Sequence, residues 1–179
     1  MLSHCTEAEG GGRRHDRSPQ FNTTRSEIGE LLYRLKYRSD RSVTNAIVET
    51  AVQFIRSWGI EADVIISVPP SRLDRSFQPV FLIAQGIGTS LNIPLCENCI
   101  VKTKDTAELK DVYDYYDRIK LLENAFSADA ARLENRNVLL FDDLYRSGAT
   151  LNAITEAIYT QGHASNVYVL ALTRTRSSL

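Results

Sequence analysis

Residues 138–150, Val-Leu-Leu-Phe-Asp-Asp-Leu-Tyr-Arg-Ser-Gly-Ala-Thr, constrain the fold more than any other stretch of the chain. A short run apolar on both faces reads as a buried strand, and here it stops in two adjacent acids. A turn of small residues follows and opens a helix from about Gly148 to Thr160. Two neighbouring carboxylates repel, and burying both is costly without hydroxyl donors or a cation. The alternative for these acids is plain: Asp143 as a helix cap and Asp142 in solvent.

The same alternation extends along the chain. Ile28, Leu31, Leu32 and Leu35 follow helical spacing, with Ser26 or Thr24 as cap. A second helix is expected over 44–57, with Ile47, Val48, Ala51, Phe54 and Ile55 inward and Gly59 as its stop. Residues 62–68 read as a central strand halted by Pro69-Pro70. A helix over 77–91, with Val80, Ile83, Ala84, Ile87 and Leu91 inward, and a strand over 94–101 come next. Residues 102 to about 115 show no period and read as a long polar loop, suited to act as a lid. Strands at 137–141 and 167–172 complete an α/β pattern with a mainly parallel sheet.

Such sheets place ligands beyond the carboxyl ends of their strands, where Asp142 and Asp143 sit. The turn Tyr145-Arg146-Ser147-Gly148-Ala149-Thr150 aims backbone N–H groups at one point, and a helix N-terminus favours an anion, phosphate above all. Carboxylates that seek a diol beside a phosphate cradle describe a site for a sugar phosphate.

Composition narrows the rest. A chain of 179 residues suits one domain, which is expected over 25–179 after a disordered or appended tail at 1–24. No apolar run is long enough for a membrane helix, and no secretory h-region stands near the start. A net charge of −1 argues against a large basic surface for nucleic acid. Cys96 and Cys99 form a lone C-x-x-C with no second pair to complete a zinc site. On a strand, positions three apart face opposite ways, so both are expected as free thiols in a reduced, cytoplasmic chain. No resident metal site is expected. His163, past a helix end, and Trp58 are expected to be structural.

Residues 138–150 resemble the phosphoribosyl-diphosphate (PRPP) signature of type I phosphoribosyltransferases: four apolar residues, two acids, an apolar residue, two variable positions, then Ser-Gly-Ala-Thr. Leu35-Lys36-Tyr37-Arg38, Val68-Pro69-Pro70, Arg75-Ser76-Phe77-Gln78, Lys102-Thr103, Arg118 and Asn124-Ala125-Phe126 resemble the ComF-like, competence-associated branch. The resemblance covers roughly residues 30–176. Ser76 and Gln78 replace that branch's usual Gly and Asn, the Pro-rich loop is shorter, and its cysteine-rich zinc module lies nowhere in these 179 residues.

The resemblance implies the type I fold, a mainly parallel sheet flanked by helices with a small hood. It implies a donor, PRPP carried with Mg²⁺, and displacement of pyrophosphate at ribose C1′ by a nitrogen acceptor such as a nucleobase. Asp142 and Asp143 would hold the ribose hydroxyls and the water shell of the metal. Tyr145, Arg146, Ser147, Gly148, Ala149 and Thr150 would hold the 5′-phosphate. Pro70, Ser71 and Arg72 would hold pyrophosphate, joined by Lys102 and Lys104 from the lid, with Arg72 and Lys102 counted among the catalytic groups. Arg72, Lys102 and Lys104 have an equal reading as solvated loop charges, and Tyr113, Tyr115 and Tyr116 are read as packing residues. Arg146 stands where hypoxanthine-guanine enzymes carry an acid, which speaks against 6-oxopurine acceptors. A homodimer is common among relatives. The competing reading is a PRPP- or nucleotide-binding protein without turnover, a regulator or a DNA-uptake factor; only there would nucleic acid be a partner. A receiver-domain reading fails because its paired acids end the first strand, whereas these end a late one.

Overall fold

A computed structural model of the chain describes residues 25–70, 77–104 and 115–175. The expected tail at 1–24 lies outside them, as do Ser71, Arg72, Arg75, Ser76 and most of the expected lid, residues 105–114.

Helix α1 spans Glu27–Tyr37 and is capped by Ser26, whose hydroxyl accepts from the Gly29 N–H at 3.3 Å. A 3₁₀ turn, Arg41–Val43, leads into α2, Thr44–Trp58, which ends on Gly59 in the left-handed region. β1 is Val64–Ser67 and α3 is Pro79–Leu91, with proline in the first turn, where its missing N–H costs nothing. β2 is Ile100–Lys102, α4 Tyr115–Leu122, β3 Phe126–Ala128 and α5 Ala130–Leu133. β4, Asn137–Tyr145, α6, Ala149–Thr160, and β5, Asn166–Arg174, follow.

β1, β4 and β5 form a parallel sheet with β4 in the centre, and β2 pairs antiparallel with β3. Because side chains alternate along a strand, β4 feeds two cores. Leu139 and Phe141 join Ile65 and Leu170 under α1, α2 and α3. Val138 and Leu140 join Val64 and Ile66 under α6, α5, β2 and β3. This is why residues 138–141 are apolar at every position, and it is the α/β arrangement expected from the alternation.

Four local expectations change. In α2 Val52 is buried and Phe54 is about half exposed, because the buried stripe turns toward α3 and leaves Phe54 stacked near Trp58 on the rim. The strand expected over 94–101 is a single bridge at Leu95 to Ile65, then a turn, then β2. Pro94 has no N–H for a ladder, and Glu97-Asn98 turn the chain back. In that turn Cys96 and Cys99 are not free thiols facing opposite ways; they are joined in a disulfide with their Cα atoms 5.5 Å apart. The cysteines therefore carry no argument for a reducing compartment. Finally, β4 does not stop at Phe141 but continues through both acids to Tyr145.

Candidate functional site

The site lies at the carboxyl edge of the sheet, where the strands end at different heights. β1 stops at Ser67 opposite Phe141, and the last bond on that side runs from the Val68 N–H to the Phe141 carbonyl, 2.9 Å. β4 goes on, paired on its other side with β5 through Asp142–Ala171, Leu144–Thr173 and Tyr145–Arg174. Asp142 and Asp143 thus stand above the end of β1, beside the chain that leaves it as Val68-Pro69-Pro70.

Alternation sends the two acids to opposite faces. Asp143 shares the parity of Leu139 and Phe141, which face α1. It is buried, and Lys36 of α1 reaches it, Nζ to Oδ2 at 2.8 Å. Its carbonyl accepts from the Thr173 hydroxyl at 2.9 Å. Asp142 shares the parity of Val138 and Leu140, on the face of α6. Its Oδ1 accepts from the Asp143 N–H at 2.8 Å. Burial first, then the neighbouring Asp143 charge, push its carboxyl up from the usual 3.8 to about 6, against the pull of two backbone N–H groups and Lys36. The expected need of the acids for a cation is met for Asp143 from within the protein. Among the described residues Asp142 has no ion-pair partner of its own.

Beyond Tyr145 the chain turns through Arg146, which is exposed, and Ser147 to Gly148, which sits in the left-handed region (φ 79°) and opens α6. The left-handed backbone favours glycine here, and a Cβ would in addition have to displace the exposed Tyr145 side chain, whose hydroxyl would lie 2.7 Å away. The Ser147 hydroxyl lies 3.5 Å from the Ala149 N–H, and the Thr150 side chain is half-buried in the first turn. First-turn N–H groups of a helix lack intrahelical partners, and the helix dipole adds positive potential there. The six residues expected to cradle phosphate are therefore brought together at one helix start.

Lys102, at the end of β2, donates from Nζ to the Pro70 carbonyl at 3.1 Å, which brings it to the loop expected to hold pyrophosphate. Lys104 does not join it; its ammonium donates to the Glu123 carbonyl at 2.7 Å. Ser71 and Arg72 lie outside the described residues. Lys36 is the site residue that reading the sequence missed as a participant. Its signal was present: it follows Leu35, the fully buried end of the α1 stripe, and Asp143 has the parity that faces α1. His163, exposed at positive φ past α6, is structural in placement: its carbonyl accepts from the Asn135 N–H at 3.0 Å. Among the described residues no group of three or more His, Cys, Asp or Glu that could hold a metal ion stands together, and no helix is long and apolar enough to cross a membrane.

Comparison with known proteins agrees with this architecture. No family model matches the chain. It is 27% identical over 149 residues to the competence protein ComFC of Bacillus subtilis (strain 168), a match covering 81% of this chain. Two solved structures of adenine phosphoribosyltransferase share its fold at 12% identity. One covers 77% of this chain and 73% of the other, with a TM-score of 0.53. The second, from Saccharomyces cerevisiae, is a complex with an imino-altritol bisphosphate and adenine; it covers 77% and 72%, with a TM-score of 0.50. The chain has the type I phosphoribosyltransferase fold, and its sequence is similar to a ComF-type competence protein. It spans 59% of the length of the curated relative it matches. In this fold the adjacent acids of residues 138–150 are opposite-facing residues on β4, and the small-residue turn is the start of α6.

Proposed function

We propose that the chain is a phosphoribosyltransferase that takes Mg-PRPP as donor and displaces pyrophosphate at ribose C1′ with a nitrogen acceptor such as a nucleobase. The observation that carries this reading is the pair Asp142-Asp143 at the carboxyl edge of a parallel sheet, followed at once by the Tyr145–Thr150 helix start. The acids would accept hydrogen bonds from the ribose hydroxyls and from the water shell of a magnesium ion that arrives with its own phosphate oxygens. Tyr145, Arg146, Ser147, Gly148, Ala149 and Thr150 would hold the 5′-phosphate, with Arg146 adding a charge-assisted contact.

The reaction makes C1′ cationic while the leaving pyrophosphate gains charge. Positive groups at the leaving group therefore favour the transition state over the bound substrate. Lys102 beside Pro70 supports that role, and Ser71 and Arg72 are proposed to share it.

A second reading, PRPP or nucleotide binding without turnover in a regulatory or DNA-uptake role, draws on the competence protein among the relatives. Release of pyrophosphate from PRPP on addition of nitrogen bases separates the two. Turnover supports the transferase; Mg-dependent binding without any release supports the binder. Both require that a double Asp142→Asn, Asp143→Asn variant lose Mg-PRPP binding while its circular dichroism stays native. A folded double variant that binds as tightly as the parent chain refutes the site.

A further inference from the structure

Lys36 lies on a helix that three separate devices hold in place. Leu32 and Leu35 are buried in the core under the sheet, Ser26 caps the helix start, and Arg34 grips Asp40 past its end through Nε at 3.0 Å and an Nη at 2.6 Å. Lys36 itself is largely enclosed, as is the Asp143 carboxylate it meets, with side-chain exposures of 17% and 11%. A lysine ammonium is a compact, strongly hydrated charge, so enclosing it against a carboxylate is a costly way to tie a helix to a strand. An apolar contact at that position would do the same packing more cheaply. What the ammonium adds is a fixed direction for one oxygen of Asp143. Oδ2 is taken by Lys36; among the described residues no group pairs with Oδ1, and Asp142 on the opposite face has no ion pair.

We propose that Lys36 is a positioning residue of the donor site: by holding Oδ2 of Asp143 it aims the other carboxylate oxygen at the ribose hydroxyls of the donor. This rests on the donor reading above and deepens it. Lys36 touches neither the reacting carbon nor the leaving group. Its effect is largest for ligands that carry the ribose and smaller for a diphosphate that meets the acids only through the water shell of its Mg²⁺. The helix that bears it becomes coupled to donor binding through a single ion pair.

The test compares two ligands, PRPP and inorganic pyrophosphate, each titrated calorimetrically with Mg²⁺ into the parent chain and into Lys36→Met, Lys36→Gln and Lys36→Arg. Partners that orient a binding carboxylate are commonly worth about 10- to 100-fold in affinity. A loss of that size is expected for PRPP in Lys36→Met and a smaller one in Lys36→Gln, with a clearly smaller loss for pyrophosphate in each and PRPP affinity largely restored in Lys36→Arg. Lys36→Gln keeps a donor toward Asp143, so it serves if Lys36→Met does not fold. Equal losses for both ligands in a folded variant would mean a merely structural pair and overturn the proposal, as would an unchanged PRPP affinity. Absence of PRPP binding in the parent chain would instead overturn the donor reading, and this role with it.

Discussion

Asp142 and Asp143 are adjacent in sequence but differ in circumstance: Asp143 faces α1 and pairs with Lys36, whereas Asp142 faces the side of α6 and has no ion pair among the described residues. The carboxyl of Asp142, raised to about 6 by burial and by its neighbour's charge, binds a proton in the folded chain that it has shed in the unfolded one between about pH 4 and 6. Stability therefore falls as pH rises through that window and stays lower above it. Asp142→Asn should remove this dependence and stabilise the chain at pH 8 by about 1–3 kcal/mol. Thermal melts of both proteins at pH 4 and pH 8 check it: the gap between them should be wide at pH 8 and narrow at pH 4. On the donor role proposed above the slope is opposite, because the ionised form is the one that accepts from the ribose, and affinity for Mg-PRPP should drop as pH falls through about 6. Gly148→Ala forces a side chain into the left-handed region and against the Tyr145 ring. It should cost about 1–2 kcal/mol of stability and weaken donor binding together, read by melting and titration of the same sample.

At the scale of elements, the turn between the Leu95 bridge and β2 is tied by the Cys96–Cys99 disulfide, and β2 carries Lys102 to Pro70. Closing so short a loop is worth about 1–2 kcal/mol by chain entropy. Cys96→Ala with Cys99→Ala should lower the melting temperature accordingly, and the parent chain should be two hydrogens lighter than its reduced form in intact mass. Helices α2 and α3 meet where Gly86 faces Val48, a Cβ there lying 2.6 Å from a Val48 methyl. Gly86→Ala should push the two helices apart and destabilise by about 1–3 kcal/mol, measured by denaturant unfolding. The long helices and both long strands were legible because each runs through several periods of its pattern. The three-residue β3 and four-residue α5 were not, since neither completes enough of a period to stand out. Phe54 misled because apolarity alone does not say which side of a stripe meets α3. The disulfide was misread through the strand assumed around it; once the turn at Glu97-Asn98 is in place, the two cysteines face each other.

For the molecule as a whole, the layout follows from β4. Its odd positions feed the core under α1–α3 and its even positions the core under α6, and the same alternation carried two residues further distributes the acids. The candidate donor site was legible in residues 138–150 because its parts are contiguous: strand end, acids, turn and helix start. Lys36 was harder because its role depends on contact across about a hundred residues of sequence, visible only when strand parity and the α1 stripe are combined. The acceptor has no comparable contiguous motif. The central claim, that this edge of the sheet holds Mg-PRPP, is tested most directly by calorimetric titration of the full chain with PRPP, with and without Mg²⁺. Saturable binding in the micromolar range that requires Mg²⁺ is the expected result. No heat of binding at millimolar PRPP, with the chain folded, would contradict it.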